Sequence, residues 1–290
     1  MKLRITTLCE NTANIGEFLA EWGVSTLIET DEVNILFDTG KSMVVPHNAD
    51  VLGIDLGKID KIVLSHAHYD HTGGLRQVLS RMKKEVEIIA HPDIWKAKYT
   101  WQSHRYNDTA HFQRQGQTEK YGGIPFQRQE LESLGAKFNL TTKPVRITDN
   151  IITTGEIPLT TRYEEVDPAL FVKEADAWEP DMIPDDLALI ISTEPGLVVV
   201  LGCAHRGIIN TLYHAQQLTG IKEINTVLGG SHLISASEER VWQTIAALKE
   251  LDVQRLGLCH CTGLPAMVLL AQEFGDKFFF NSAGTVLELP

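Results

Sequence analysis

The sequence predicts an α/β fold in which short buried strands alternate with amphipathic helices, in two similar halves. Apolar, β-branched runs pass into segments of helical spacing and then into further apolar runs. That order returns after residue 186. Four of the strands also end in loops that carry histidine, the usual way for an α/β protein to assemble a site on a rigid scaffold.

The elements follow in order. "KLRITTL" alternates, "VSTLIET" is β-branched and apolar, and "EVNILFDTG" is a strand ending in an Asp-Thr-Gly turn. "KIDKIVLSHAH" repeats that plan, with Ile62, Val63 and Leu64 as a buried strand that stops at histidines. "GGLRQVLSRMKKE" has helical spacing at Leu75, Val78, Leu79 and Met82, and "VEIIAHPD" is again a strand. These make a first half over residues 1–94. Residues 95–145 are polar, aromatic and weakly periodic, and read as an insertion or lid with a short helix at "RQELESLGA". Strands resume at "VRIT" and "NIITTGEI", and residues 160–186 form an acidic loop or hairpin with Pro168, Pro180 and Pro184.

The second half, 146–290, restates the first. "LALIISTEPGLVVVLGCAH" holds two strands about a Glu-Pro-Gly turn, then the helix "IINTLYHAQQLTG" leads to the strand "INTVLGGSH". The helix "SEERVWQTIAALKEL" and the strand "VQRLGLCHCTG" follow, and a last helix and strand close the chain. The whole is expected to be one domain of 290 residues.

Composition narrows the function. A net charge of −12 and a pI near 5.4 exclude a general nucleic-acid binder, which needs a basic face. No apolar run reaches membrane-spanning length, so no membrane contact is expected. Four cysteines, at positions 9, 203, 259 and 261, suit a cytoplasmic chain with reduced thiols better than a disulfide framework. The expected partner is a small molecule.

The densest chemistry lies in "LSHAHYDHTGGL", residues 64–75. Side chains two apart on an extended segment share a direction, so His66 and His68 can grip one ion together. Asp70 and His71 are adjacent, point elsewhere, and are placed for a neighbouring ion. Two-metal hydrolases hold such ions roughly 3.5–4 Å apart. Gly73 and Gly74 allow close backbone approach before the helix. Surface histidines beside a helix cap are the plainer reading, and the combined pattern argues against it.

This pattern resembles the metallo-β-lactamase superfamily. The strand ending Asp38-Thr39-Gly40, the 66–71 motif, "TTGEIP", "GCAHRGI", "GGSHL" and "CHCTG" resemble the branch of the dihydropterin ribofuranosylaminobenzene-phosphate synthase and related metal-dependent hydrolases. The resemblance implies a four-layer αβ/βα sandwich with two divalent ions, zinc first, with iron and manganese suited to the same ligands. It places His66, His68 and His205 on one ion, and Asp70, His71 and His260 on the other. Asp70 and His232 are the catalytic candidates, His232 as proton donor or substrate contact.

The chain departs from the superfamily pattern at Gly202-Cys203, where an aspartate usually bridges the ions. Cys203 is either a bridging thiolate or a buried strand residue, and packing is the preferred reading. "TTGEIP" lacks the usual upstream histidine, so His205 is expected to act from a different loop. Trp22 stands where many relatives carry histidine. Asp38 is expected to orient a ligand histidine, Arg206 to meet an anionic substrate or stay solvated, and Thr262 with the following helix to offer an anion site. A Cys-His-Cys zinc knuckle about His260 lacks a fourth ligand. His91, His104 and His111 read as surface or lid residues, and Trp95, Tyr99, Trp101, Tyr106 and Phe112 as lid packing rather than a stacking box. The leading expectation is a hydrolase using a metal-held hydroxide on an ester-like or phosphate-ester bond. The alternatives are a transferase joining a pterin diphosphate to an arylamine ribose phosphate, and a non-catalytic metal-dependent sensor.

Overall fold

Strands buried on both faces read as near-continuous apolar runs, and here the two faces feed different cores. A computed structural model describes residues 2–101, 119–175 and 177–289; His104, Tyr106, His111 and Phe112 lie outside the described residues. The chain opens with β1 (Leu3–Cys9), β2 (Ser25–Thr30) and β3 (Asn34–Phe37). Helix α1 (Val44–Leu52) leads to β4 (Lys61–Val63), and the histidine loop contains the single turn α2 (Tyr69–Thr72). Helix α3 (Leu75–Met82) and β5 (Val86–Ala90) complete the predicted strand–loop–helix–strand unit. Leu75, Val78, Leu79 and Met82 are all buried, as their spacing requires.

Next come β6 (Lys98–Trp101), β7 (Glu119–Tyr121), α4 (Arg128–Ser133) and β8 (Ala136–Leu140). Then follow β9 (Ile151–Thr153), the hairpin β10 (Leu170–Glu174) and β11 (Ala177–Pro180), and the pair β12 (Ala188–Thr193) and β13 (Gly196–Leu201). Helix α5 (Ile208–Thr219), β14 (Ile224–Gly230), α6 (Glu238–Glu250), β15 (Arg255–Cys259), α7 (Leu264–Phe274) and β16 (Val286–Leu289) end the chain.

Seven strands form one sheet in the order β16-β1-β2-β3-β4-β5-β8, and five form a second, β15-β14-β13-β12-β9. Ile35, Phe37 and Val63 of the first sheet share a core with Leu189, Ile191, Val198 and Val200 of the second. The alternate residues face outward to the helices. Leu36 and Ile62 meet residues of α1 and α3, while Ile190, Val199 and Leu201 meet those of α5, α6 and α7. Three cores between four layers make the expected αβ/βα sandwich.

Two details differ from the sequence reading. The region 95–145 is not wholly an excursion: β8 pairs in parallel with β5 as the edge of the first sheet, because the apolar residues of "AKFNL" continue that core. And "VRIT" contributes only a bridge between Arg146 and Ile152. The true excursion is a third, small sheet, β11-β10-β6-β7. Its aromatic rings pack edge-on, Tyr99 against Tyr121 and Trp178 with centroids 5.4 and 5.0 Å apart. Trp95 packs instead on Phe138. Among the described residues no helix is long and apolar enough to cross a membrane.

Candidate metal centre

Chain direction brings the chemistry to one edge. β3, β4 and β5 run parallel, and β1 runs the same way because it is antiparallel to β2, which is antiparallel to β3. β13, β14 and β15 are parallel to one another. The loops after β1, β3, β4, β13, β14 and β15 meet there, the carboxyl ends at which open α/β sheets bind ligands. Asp38, Ala204, His232 and His260 in these loops all have φ between 46° and 60°. Non-glycine residues held in that region concentrate at functional sites.

His66, His68 and His205 converge first, with one ring nitrogen from each within 4.8 Å of the others. His66 Nε2 lies 3.0 Å from His68 Nδ1 and 3.2 Å from His205 Nε2. Protons can be traced outward from Asp38. Its carboxylate accepts the Ser65 N–H and the Ser65 hydroxyl, each at 2.7 Å. With that hydroxyl proton committed, Ser65 Oγ accepts the His66 Nδ1–H at 2.8 Å. His66 Nε2 is therefore a bare lone pair aimed into the cluster. His205 Nδ1 is buried without a partner. Burial, and then the surrounding histidines, push the pKa of His66 and His205 well below the ordinary value. Burial, and then the Lys98 charge, lower His68 to about 3. Three neutral imidazoles facing one another form a cation cradle.

Asp70, His71 and His260 converge beside them. His71 Nδ1–H donates to Asp38 Oδ2 at 2.6 Å. Burial disfavours its charge, but Asp38 and Asp70 outweigh that and lift His71 to about 9. Its second proton must leave before Nε2 can bind a cation. His260 Nδ1–H donates to Asn11 Oδ1 at 2.9 Å, so Nε2 carries the lone pair. That nitrogen sits 3.3 Å from Asp70 Oδ2 with no hydrogen bond between them. Two buried acceptors facing each other repel unless a cation lies between them. The donor set fits divalent metal ions.

Cys203 lies beyond the end of β13, which stops at Leu201, so it is not the strand residue expected. Its Sγ is 3.0 Å from His71 Nε2 and shares a possible ligand group with His66 and His71. Burial, and then the Cys261 side chain, raise its thiol pKa. Cys261, weighed from sequence only for a zinc knuckle, joins Cys203 and His260 in another group. Gly202 is required here, since a Cβ would lie 2.1 Å from Ser65 Oγ. Gly74 is required for the reason foreseen: its Cβ would lie 1.9 Å from the Thr39 carbonyl oxygen.

His232 sits at the rim, its ring 4.1 Å from that of His205. Its Nε2 is 3.8 Å from Asp167 Oδ2, an ion-pair distance beyond a direct hydrogen bond. Burial opposes its charge, but Asp167 and Cys261 outweigh that and raise it to about 9. Trp22, 42% exposed, packs on His260 with centroids 5.0 Å apart.

Three expectations change. Arg206 does not reach for an anion: its Nε donates to the Ile157 carbonyl and Nη1 to that of Met182. Thr262 is buried, and its hydroxyl accepts from Ser231 N–H and Oγ–H, so it joins two loops rather than binding an anion. His91 is buried, with Nε2 2.9 Å from Glu156 Oε1 and Nδ1 accepting the Asp93 N–H. Asp38 accepts the His71 Nδ1–H, and reaches His66 as well through Ser65. The sequence reading misses Ser65, Glu10 and Asn11. Glu10 accepts the His260 N–H at 2.8 Å. Their only signal is polar side chains set directly after apolar strands.

Residues 23–169, half of the chain, match the Metallo-beta-lactamase superfamily. The chain is 34% identical to the 7,8-dihydropterin-6-methyl-4-(beta-D-ribofuranosyl)-aminobenzene-5'-phosphate synthase of Methanocaldococcus jannaschii, over 99% of this chain and 96% of that protein. It is 30% identical to an uncharacterized protein of the same archaeon, over 98% and 99%. The crystal structure of Tm1679, a metal-dependent hydrolase of the beta-lactamase superfamily, matches with a TM-score of 0.83 and 30% identity, covering 99% of each chain. The protein belongs to the metallo-β-lactamase superfamily.

Proposed function

We propose that the protein is a metal-dependent hydrolase that holds two divalent ions, zinc first, and acts on a small anionic ester or phosphate ester in the cytoplasm. The observation that carries this reading is the pair of adjoining donor sets, whose outer N–H groups on His66, His71 and His260 are anchored to Ser65, Asp38 and Asn11. Ligand histidines are held in that way. When bound, the ions supply Lewis acidity and a nucleophilic water near neutral pH.

The chain's own groups do the rest. Asp70 and the histidines orient the reacting centre, and Cys203 adds a sulfur donor between the two sets. His232, kept protonated by Asp167, is set to give a proton to a leaving group. The Lys41 and Lys120 ammonium groups lie 5.6 and 5.2 Å from the Tyr69 ring centre, beside His68 and Asp70. Among the described residues neither pairs with a carboxylate, which suits an anionic substrate on an otherwise acidic chain. Four free, buried cysteines suit a reducing compartment.

The near full-length similarity to a synthase favours one second reading, group transfer from a pterin diphosphate to an arylamine ribose phosphate. Shared fold and ligand loops do not transfer a substrate. The two are separated by assaying metal-loaded protein against phosphodiesters, thioesters, lactones, lactams and pterin phosphates. Hydrolysis that disappears in His68→Ala is expected. Coupling without hydrolysis would favour the transferase, and neither activity, with metals bound, would favour a sensor.

A further inference from the structure

The segment entering β12 carries Asp185 and Asp186, each 1% exposed. Their carboxylates serve two loops that come from opposite halves of the chain. Asp185 Oδ2 accepts the N–H of Ala67 at 2.8 Å, the residue between His66 and His68. Asp186 Oδ2 accepts the N–H of Arg206 at 2.8 Å, the residue after His205. The next residue, Leu187, donates its N–H to the Ser65 carbonyl at 2.9 Å. Three consecutive residues thus hold both loops that deliver the three-histidine group.

Asp185 is itself fixed. Its other oxygen, Oδ1, lies 2.6 Å from Lys98 Nζ, and that ammonium also lies 2.7 Å from Asp181 Oδ2. Lys98 is 1% exposed, so all three charges are buried and depend on one another. With one oxygen on Lys98 and the other on Ala67, the Asp185 carboxylate cannot rotate without breaking a charge-assisted bond.

We propose that Asp185 and Asp186 are positioning residues that set the spacing of His66 and His68 against His205, with Lys98 locking Asp185 in place. The claim rests on the metal-binding reading above. It explains how a chain without a histidine in "TTGEIP" completes a three-histidine set: the acidic pair ties the "GCAHRGI" loop to the "HAH" loop directly. It also fastens the small sheet that bears Lys98 to the metal loop.

The test measures zinc retention against graded chelator in wild type, Asp185→Ala, Asp186→Ala and Asp186→Asn, with the melting temperature of each metal-free protein. Wild type should keep two ions. Each alanine variant should lose one of them about 10–100-fold more readily and keep the other, and adding Asp70→Ala should then release the one retained. Asp186→Asn preserves an acceptor for the Arg206 N–H and should retain both ions as wild type does. Should the alanine variants not fold, Lys98→Met decides, since freeing Asp185 should produce the same one-ion loss. A folded set of variants that keeps both ions, or loses both in parallel with a lowered melting temperature, would overturn the positioning role. Failure of wild type to bind two ions would overturn the metal reading instead.

Discussion

The three-histidine group and the Asp70 group lie side by side but are held by different parts of the chain. His66, His68 and His205 depend on Ser65 and on the acidic pair before β12. His260 depends on Glu10 and Asn11 after β1. Separately braced donor sets should answer separately to substitution, whereas a residue that touches both should disturb both. Asp38 is such a residue, bonded to His71 directly and to His66 through Ser65.

The largest effect should therefore come from Asp38→Ala. It strands the Ser65 and His71 donors in a fully buried place, and losing one partner of a buried ion pair costs about 3–5 kcal/mol. Denaturant unfolding of the metal-free protein should show that loss, and zinc titration should show both ions weakened roughly 10–100-fold. Loss of a single ion would mean that the two sets do not share this support.

Cys203→Ser should have an intermediate effect, because the sulfur stands among donors of both sets. The cobalt-substituted protein should show an intense near-ultraviolet sulfur-to-metal band that this substitution removes and that Cys259→Ser leaves unchanged. A band absent from the wild-type protein would return Cys203 to a packing role.

Asp167→Asn should act least, chiefly through His232, because an amide oxygen can still accept the Ala169 N–H. With its folded pKa raised to about 9 from an ordinary value of about 6.5, His232 binds its proton more tightly folded than unfolded. Its contribution to stability is full below pH of about 6.5 and is lost as pH rises through about 9. In the variant, proton NMR of the metal-free protein should find the His232 pKa lowered from its wild-type value and that stretch of pH dependence reduced. A His232 titration unmoved by the substitution would remove Asp167 from the account.

The same contrast decides what the sequence made legible. "HAHYDH" is contiguous, so strand and turn periodicity alone placed His66 and His68 apart from Asp70 and His71. His205, His232 and His260 follow three strands whose parallel order brings their ends together, and only family likeness paired them with the first loop. Ser65, Asn11, Asp185 and Asp186 were not read because what they do depends on contacts between separated positions, 27 apart for Ser65 with Asp38 and 249 apart for Asn11 with His260, or on backbone N–H groups, which leave no spacing pattern. Arg206 was misread for a related reason: a side chain that bonds carbonyl groups of remote loops looks, in sequence, like any free cation.

The central claim is that one site holds two ions in two separable sets. Elemental analysis of the metal-loaded protein, repeated on Asp70→Ala, tests it most directly. The account predicts about two ions per chain in the wild type and about one in the variant. One ion per chain in both proteins would contradict it.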